Sequence, residues 1–258
     1  MSINYTYKDK NLDIKSIKLT ECEDNYVGFF EVINHEVCNH DLWFCKNLRR
    51  INSKNIKINC NKFLKNTNKK NLVIVLESPH IDEFNGLRCN IAPAPALGVT
   101  GCNLDKYFIE LINSKINNCG IEDGVYNVIL TNAIQYQCSL GEEPEIYRDR
   151  VWLDLWLFKN YNSNFIQRLY KYSPDVIINF CTKGSHRKDH LRPKGTKTFI
   201  NAEYINSINK NHNITGKVTL RELVSKEIKN NFKNNCIILE GNHPSSWNRG
   251  LKHRTLSK

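Results

Sequence analysis

Four short apolar runs stand out along the chain. Leu72–Leu76, Tyr126–Leu130, Val176–Phe180 and Cys236–Leu239 are nearly continuous in hydrophobic residues, the pattern of strands covered on both faces. Between them the period changes. Leu104, Phe108, Leu111 and Ile112 share one stripe and predict a helix over Asn103–Ile116. Trp152 to Tyr172 reads as one long, aromatic-rich helical region, and Thr219–Asn230, with Leu220, Leu223 and Val224 along it, as another. This alternation predicts an α/β fold with a central, mainly parallel four-stranded sheet flanked by helices. Ligands of such sheets bind beyond the carboxyl ends of the strands. The residues collected there are Glu77-Ser78-Pro79-His80, Thr131-Asn132, Cys181-Thr182-Lys183-Gly184 and Gly241-Asn242-His243-Pro244.

Residues 1–65 are less patterned and read as an N-terminal extension packed on a core domain of residues 66–258. Within the extension, Tyr26–Val32 suggests a strand and Asp41–Leu48 a helix or a second strand. The polar, basic stretch Asn61–Lys70 reads as the connection into the core.

Composition narrows the partners. A chain of 258 residues with 40% hydrophobic content has material for one large core. Its formal net charge of +11 suits nucleic acid, an anionic membrane or an acidic protein. There is neither an apolar run long enough to cross a membrane nor a basic-then-apolar leader, so the expectation is a cytoplasmic protein without a membrane partner. The ten cysteines include no Cys-x-x-Cys pair and read as reduced, buried thiols. Spacings among Cys22, Cys38, Cys45 and Cys60 are not diagnostic of an iron–sulfur cluster. The eight histidines are scattered along the chain, and no metal is expected.

Two strand-end loops about 165 residues apart carry the chemistry, one with a carboxylate and one with His-Pro-Ser. Together they resemble the paired motifs of the uracil-DNA glycosylase superfamily. Leu76-Glu77-Ser78-Pro79-His80 is similar to the Gly-Glu-x-Pro-Gly of one branch; Ser78 stands where another branch has Asp. The resemblance makes Glu77 the first candidate to orient water or stabilise the sugar cation, with Asp82 and Glu83 as alternatives and His80 as an acid–base or phosphate ligand. In the Pro-rich segment Ile91–Gly101, Leu97 lies nearest the family's base-stacking aromatic, which either enlarges the pocket for a bulkier base or leaves Phe84 or Tyr136 to stack instead. Asn132 matches the strand-end Asn that reads the base; an amide both donates and accepts. His243-Pro244-Ser245-Ser246-Trp247 resembles His-Pro-Ser-Pro-Leu. His243 would then donate to a base carbonyl, Ser245 and Ser246 would face a phosphate, and Trp247 would enter the base stack. Lys183, Arg187, Lys188, Arg249 and Lys252 flank these loops and would grip phosphates.

The resemblance implies a three-layer α/β/α domain, monomeric and free of metal or organic cofactor. It would excise a uracil-like, damaged or modified base from DNA and leave an abasic site, in DNA repair or in defence against foreign DNA. Two other readings stay open: a nucleic-acid-binding protein on the same fold without catalysis, and an enzyme of free nucleosides or nucleotides.

Overall fold

A computed structural model describes residues 2–9, 12–44, 68–80, 83, 94–138, 147–184 and 218–258. The strands are β1 (Ser2–Asp9), β2 (Leu12–Thr20), β3 (Asn25–Ile33), β4 (Glu36–Leu42), β5 (Lys70–Leu76), β6 (Gly124–Asn132), β7 (Val176–Asn179), β8 (Ile237–Gly241) and β9 (Leu256–Ser257). The helices are α1 (Val99–Cys119), α2 (Tyr147–Leu153), α3 (Tyr161–Tyr172) and α4 (Leu220–Phe232). The α/β class holds, and all four apolar runs are strands parallel to one another.

The sheet is larger than the four strands expected. It is mixed and seven-stranded, in the order β4-β3-β6-β5-β7-β8-β9, with antiparallel edges. β1 and β2 form a separate antiparallel pair. The boundary at residue 65 therefore does not separate an extension from the sheet, because β3 pairs with β6 along almost its whole length. Of the added strands, β3 falls on the strand read at Tyr26–Val32, whereas β4 escapes a search for apolar runs for a physical reason. β4 is an edge strand whose Glu36, Asn39, His40 and Asp41 are exposed. Polar residues on an edge discourage further pairing but erase the hydrophobic signal. β3 is broken by a bulge at Gly28, φ +114°, where a Cβ would lie 1.8 Å from the carbonyl oxygen of Asp41; only glycine fits there.

The faces of the parallel core divide by alternation. Leu72, Ile74 and Leu76 pack with α1 residues Leu104, Phe108 and Ile112. Val73 and Val75 pack with Trp152, Trp156, Phe165, Leu169, Val224 and Ile228 on the opposite side. Helices thus cover both faces. The helical region expected over Trp152–Tyr172 is interrupted. A π-helical turn at Asp154–Phe158 follows α2, and Asn160 (φ 61°) breaks the chain before α3. Asparagine tolerates this left-handed conformation better than most residues. α4 begins at Leu220, one residue after the start read at Thr219, which is its cap. Thr219 accepts from the Glu222 N–H (3.0 Å) while Glu222 accepts from the Thr219 N–H (2.6 Å), a reciprocal cap.

Spatially the parallel strands run β6-β5-β7-β8, so the connections change direction between β5 and β7. In sheets of this kind ligands bind beyond the carboxyl ends of the strands that flank such a reversal, and Glu77 follows β5 at this point.

Candidate functional site

Glu77 leaves the end of β5 with a fixed backbone. Its carbonyl accepts from Trp152 Nε1–H (2.7 Å) and from the Ile134 N–H (3.0 Å). Its carboxylate is 7% exposed and receives the Thr182 N–H at 3.3 Å. The decisive contact comes from two strands away: His243 Nε2 lies 3.2 Å from Glu77 Oε2. His243 follows β8 as the cap of a 3₁₀ turn over Pro244–Arg249. Its Nδ1 accepts from the Ser245 N–H (3.3 Å) and lies 2.8 Å from Ser245 Oγ. With Nδ1 accepting, the ring hydrogen on Nε2 is the one that donates to Glu77.

Burial alone would raise the Glu77 carboxyl. The His243 imidazole beside it, helped by Arg148, overcomes burial and holds the group down at about 2. The carboxylate is therefore ionised across the physiological range. Burial, reinforced by the Glu77 charge, pushes the neighbouring Cys181 thiol up, so that sulfur stays protonated.

Asn132 ends β6 opposite Leu76. Its backbone carbonyl accepts from Arg168 Nη2 (2.9 Å), and Arg168 Nη1 pairs with Asp24 at 2.8 Å in a buried network that includes Thr131. The strand end is pinned, yet the side chain is left over. Asn132 is 0% exposed, and among the described residues neither Oδ1 nor Nδ2 has a hydrogen-bond partner. A buried amide with both functions empty is costly and suits a ligand edge that offers a donor beside an acceptor.

Other expected site residues have different placements. Glu83 is buried away from solvent and clasps the loop before α1: its Oε1 accepts from the Ala96 N–H (3.0 Å) and its Oε2 lies 3.9 Å from Cys22 Sγ. That role is structural. His80 is exposed, and its carbonyl accepts from the Glu83 N–H. Leu97 is buried next to Ala96, which adopts φ 58°. Tyr136 packs edge-to-face on Tyr161 at 5.4 Å, so its ring is occupied. Ser246 spends its hydroxyl on the His243 carbonyl (2.8 Å), whereas the Ser245 side chain is exposed. Lys183, Arg249 and Lys252 are exposed. Asp82, Phe84, Arg187 and Lys188 lie outside the described residues.

Trp247 is the clearest correction. An apolar side chain beside His-Pro-Ser was expected to project outward. Instead Trp247 is 0% exposed, its ring meets Phe180 edge-on at 5.2 Å, and its Nε1–H donates to the Asn242 carbonyl at 2.9 Å. The 3₁₀ turn points it inward, over a sheet end where Gly241 leaves room: a Cβ at Gly241 would come within 2.4 Å of the Phe180 ring. Trp247→Ala is expected to cost about 3–5 kcal/mol of stability, as for other buried aromatics, with the thermal midpoint as the measure. A surface wedge would cost almost nothing.

Residues that the sequence did not single out complete the site. Arg148, on α2, bonds the fully buried Asp149 at 2.6 Å and adds positive charge near Glu77. Arg221, in the first turn of α4, reaches the Cys181 carbonyl and Asn242. Leu251 is 71% exposed between Arg249 and Lys252 on the loop that carries His243. The only signal for Arg221 is the Thr-x-x-Glu cap around it, which places it at a helix start. Among the described residues no group of three or more His, Cys, Asp or Glu side chains could hold a metal ion, and no helix is long and apolar enough to cross a membrane. No family model matches the chain, and neither a curated protein nor a solved structure matches it.

Proposed function

We propose that the chain is a DNA glycosylase that cleaves the N-glycosidic bond of a flipped base and leaves an abasic site. The observation that carries this reading is the ionised, buried Glu77 held 3.2 Å from His243; Asn132, whose amide has no partner among the described residues, ends the neighbouring strand. Breaking an N-glycosidic bond places positive charge on the sugar and negative charge on the departing base. A fixed carboxylate answers the first charge and an imidazole N–H the second, the preorganised arrangement that supplies most of the rate in such sites. Asn132 reads the base edge. The Glu77–His243 contact opens when substrate enters, since His243 must turn its N–H from the carboxylate to the base.

The protein acts as a cytoplasmic monomer on DNA, in repair or in defence against DNA with modified bases. Exposed Lys183, Ser245, Arg249 and Lys252 hold phosphates. With Trp247 buried, the apolar group available to disturb the base stack is Leu251, exposed among basic neighbours.

The test is incubation of the protein with duplex and single-stranded DNAs carrying uracil, damaged bases or modified pyrimidines, with alkali cleavage reporting abasic sites. Cleavage on one substrate, lost in His243→Ala, supports the reading and names the base. Leu251→Ala is expected to lower duplex activity by about tenfold or more while sparing the single-stranded substrate. Tight, salt-sensitive binding with no abasic sites on any DNA would replace the enzyme with a catalytically silent binder.

A further inference from the structure

Arg221 occupies a position that serves both halves of the Glu77–His243 pair. The cap at Thr219 fixes where α4 starts, so the second residue of the helix lies over the carboxyl ends of β7 and β8. From there Arg221 Nε donates to the Cys181 carbonyl at 2.8 Å, and Nη1 reaches Asn242 Oδ1 at 3.5 Å. The Cys181 carbonyl belongs to the same peptide group as the Thr182 N–H, which donates to Glu77 Oε2 at 3.3 Å. Asn242 directly precedes His243. One guanidinium thus holds the peptide that grips the carboxylate and touches the residue that leads into the imidazole.

The peptide link is chemically directional. A charged donor on the carbonyl oxygen polarises the amide and strengthens the N–H on its other side, as in any chain of hydrogen bonds. The planar fork of arginine reaches two acceptors at set angles, which a lysine ammonium does not reproduce.

We propose that Arg221 is a positioning residue for the Glu77–His243 pair, acting through the Cys181–Thr182 peptide on one side and Asn242 on the other. That these two groups are the reacting pair rests on the function proposed above; the positioning itself does not. The groups that face Glu77 are His243, Arg148 from α2, Arg221 from α4 and the thiols of Cys138 and Cys181. Removing Arg221 takes away positive charge and loosens the Thr182 donor, and both changes push the Glu77 carboxyl upward.

Arg221→Ala and Arg221→Lys, compared with the parent chain, test the proposal by two readouts. The first, independent of activity, is the ¹³C-detected titration of the Glu77 side-chain carboxyl. The second is base release at saturating and limiting DNA across pH. In Arg221→Ala the titration moves to higher pH, kcat falls by about 10- to 100-fold with KM nearly unchanged, and the acid limb of the profile moves up. Arg221→Lys falls between alanine and the parent. An unaltered Glu77 titration together with an unaltered kcat in Arg221→Ala overturns the proposal. So does a drop in activity that lysine restores in full, which would reduce the role to charge alone. If Arg221→Ala does not fold, the lysine variant carries the same two readouts. A shifted titration in a protein that releases no base from any DNA keeps the positioning role and removes only the glycosylase reading.

Discussion

Glu77→Gln is expected to lower base release by about 10²- to 10⁴-fold, the range for a carboxylate acting on a reacting group, while DNA affinity stays within about threefold of the parent. Glutamine keeps the volume but cannot carry the charge that faces the sugar cation. It also replaces the charged partner of His243 with a neutral acceptor. The same substitution has a signature in stability. The folded carboxyl lies at about 2, below its ordinary 4.5, so its ionisation stabilises the folded chain above about pH 4.5. That contribution, on the order of 3 kcal/mol, is lost as pH falls from 4.5 towards 2. The parent should therefore lose denaturation midpoint steeply across this window, and Glu77→Gln should lose less. Equal slopes in the two proteins would mean that the carboxylate is not held ionised by its surroundings. Full activity in the variant would remove Glu77 from the chemistry.

Asn132→Leu should do two opposite things. Leucine has nearly the same shape, and it relieves a fully buried amide whose oxygen and nitrogen have no partner among the described residues. Leaving such a group unpaired costs about 1–3 kcal/mol, so the variant is expected to be more stable by about that much and to melt a few degrees higher. Base release should fall by about 10²-fold or more, because the site loses the group that pairs with the base edge. This opposition is what a binding residue predicts and a packing residue does not. A destabilised Asn132→Leu would show that the amide is satisfied in solution. A stabilised variant with full activity would show that Asn132 does not read the base.

How much of this was legible in the chain depends on what each residue faces. Leu72–Leu76 and Val176–Phe180 announce themselves because strands covered on both faces have no polar alternation. β4 does not, because an edge strand with exposed Glu36, Asn39 and Asp41 looks like a loop. Glu77, Asn132 and His243 stood out in the sequence because each lies at or just past the end of an apolar run, where polar residues interrupt it. Trp247 was misplaced because an aromatic in a single 3₁₀ turn carries no periodicity to say which way it points. Arg148 and Arg221 were missed because a cation near a helix start ordinarily reads as a solvated face; only the folded chain shows what each touches. The Asp24–Arg168 pair behind Asn132 joins residues from β6's surroundings and α3 that nothing in the linear order connects.

The Glu77–His243 contact crosses β7, because β5 and β8 are not neighbours in the sheet. During synthesis β5 is complete long before β8 exists, and it can pair first with β6 and then with β7. The Glu77–His243 pair closes only when the fourth parallel strand docks, a contact of very long sequence separation and therefore late and slow to form. On the proposed reading, a nascent or partly folded chain presents basic surface to nucleic acid without the means to release a base, and activity is coupled to completed folding by the order of the strands.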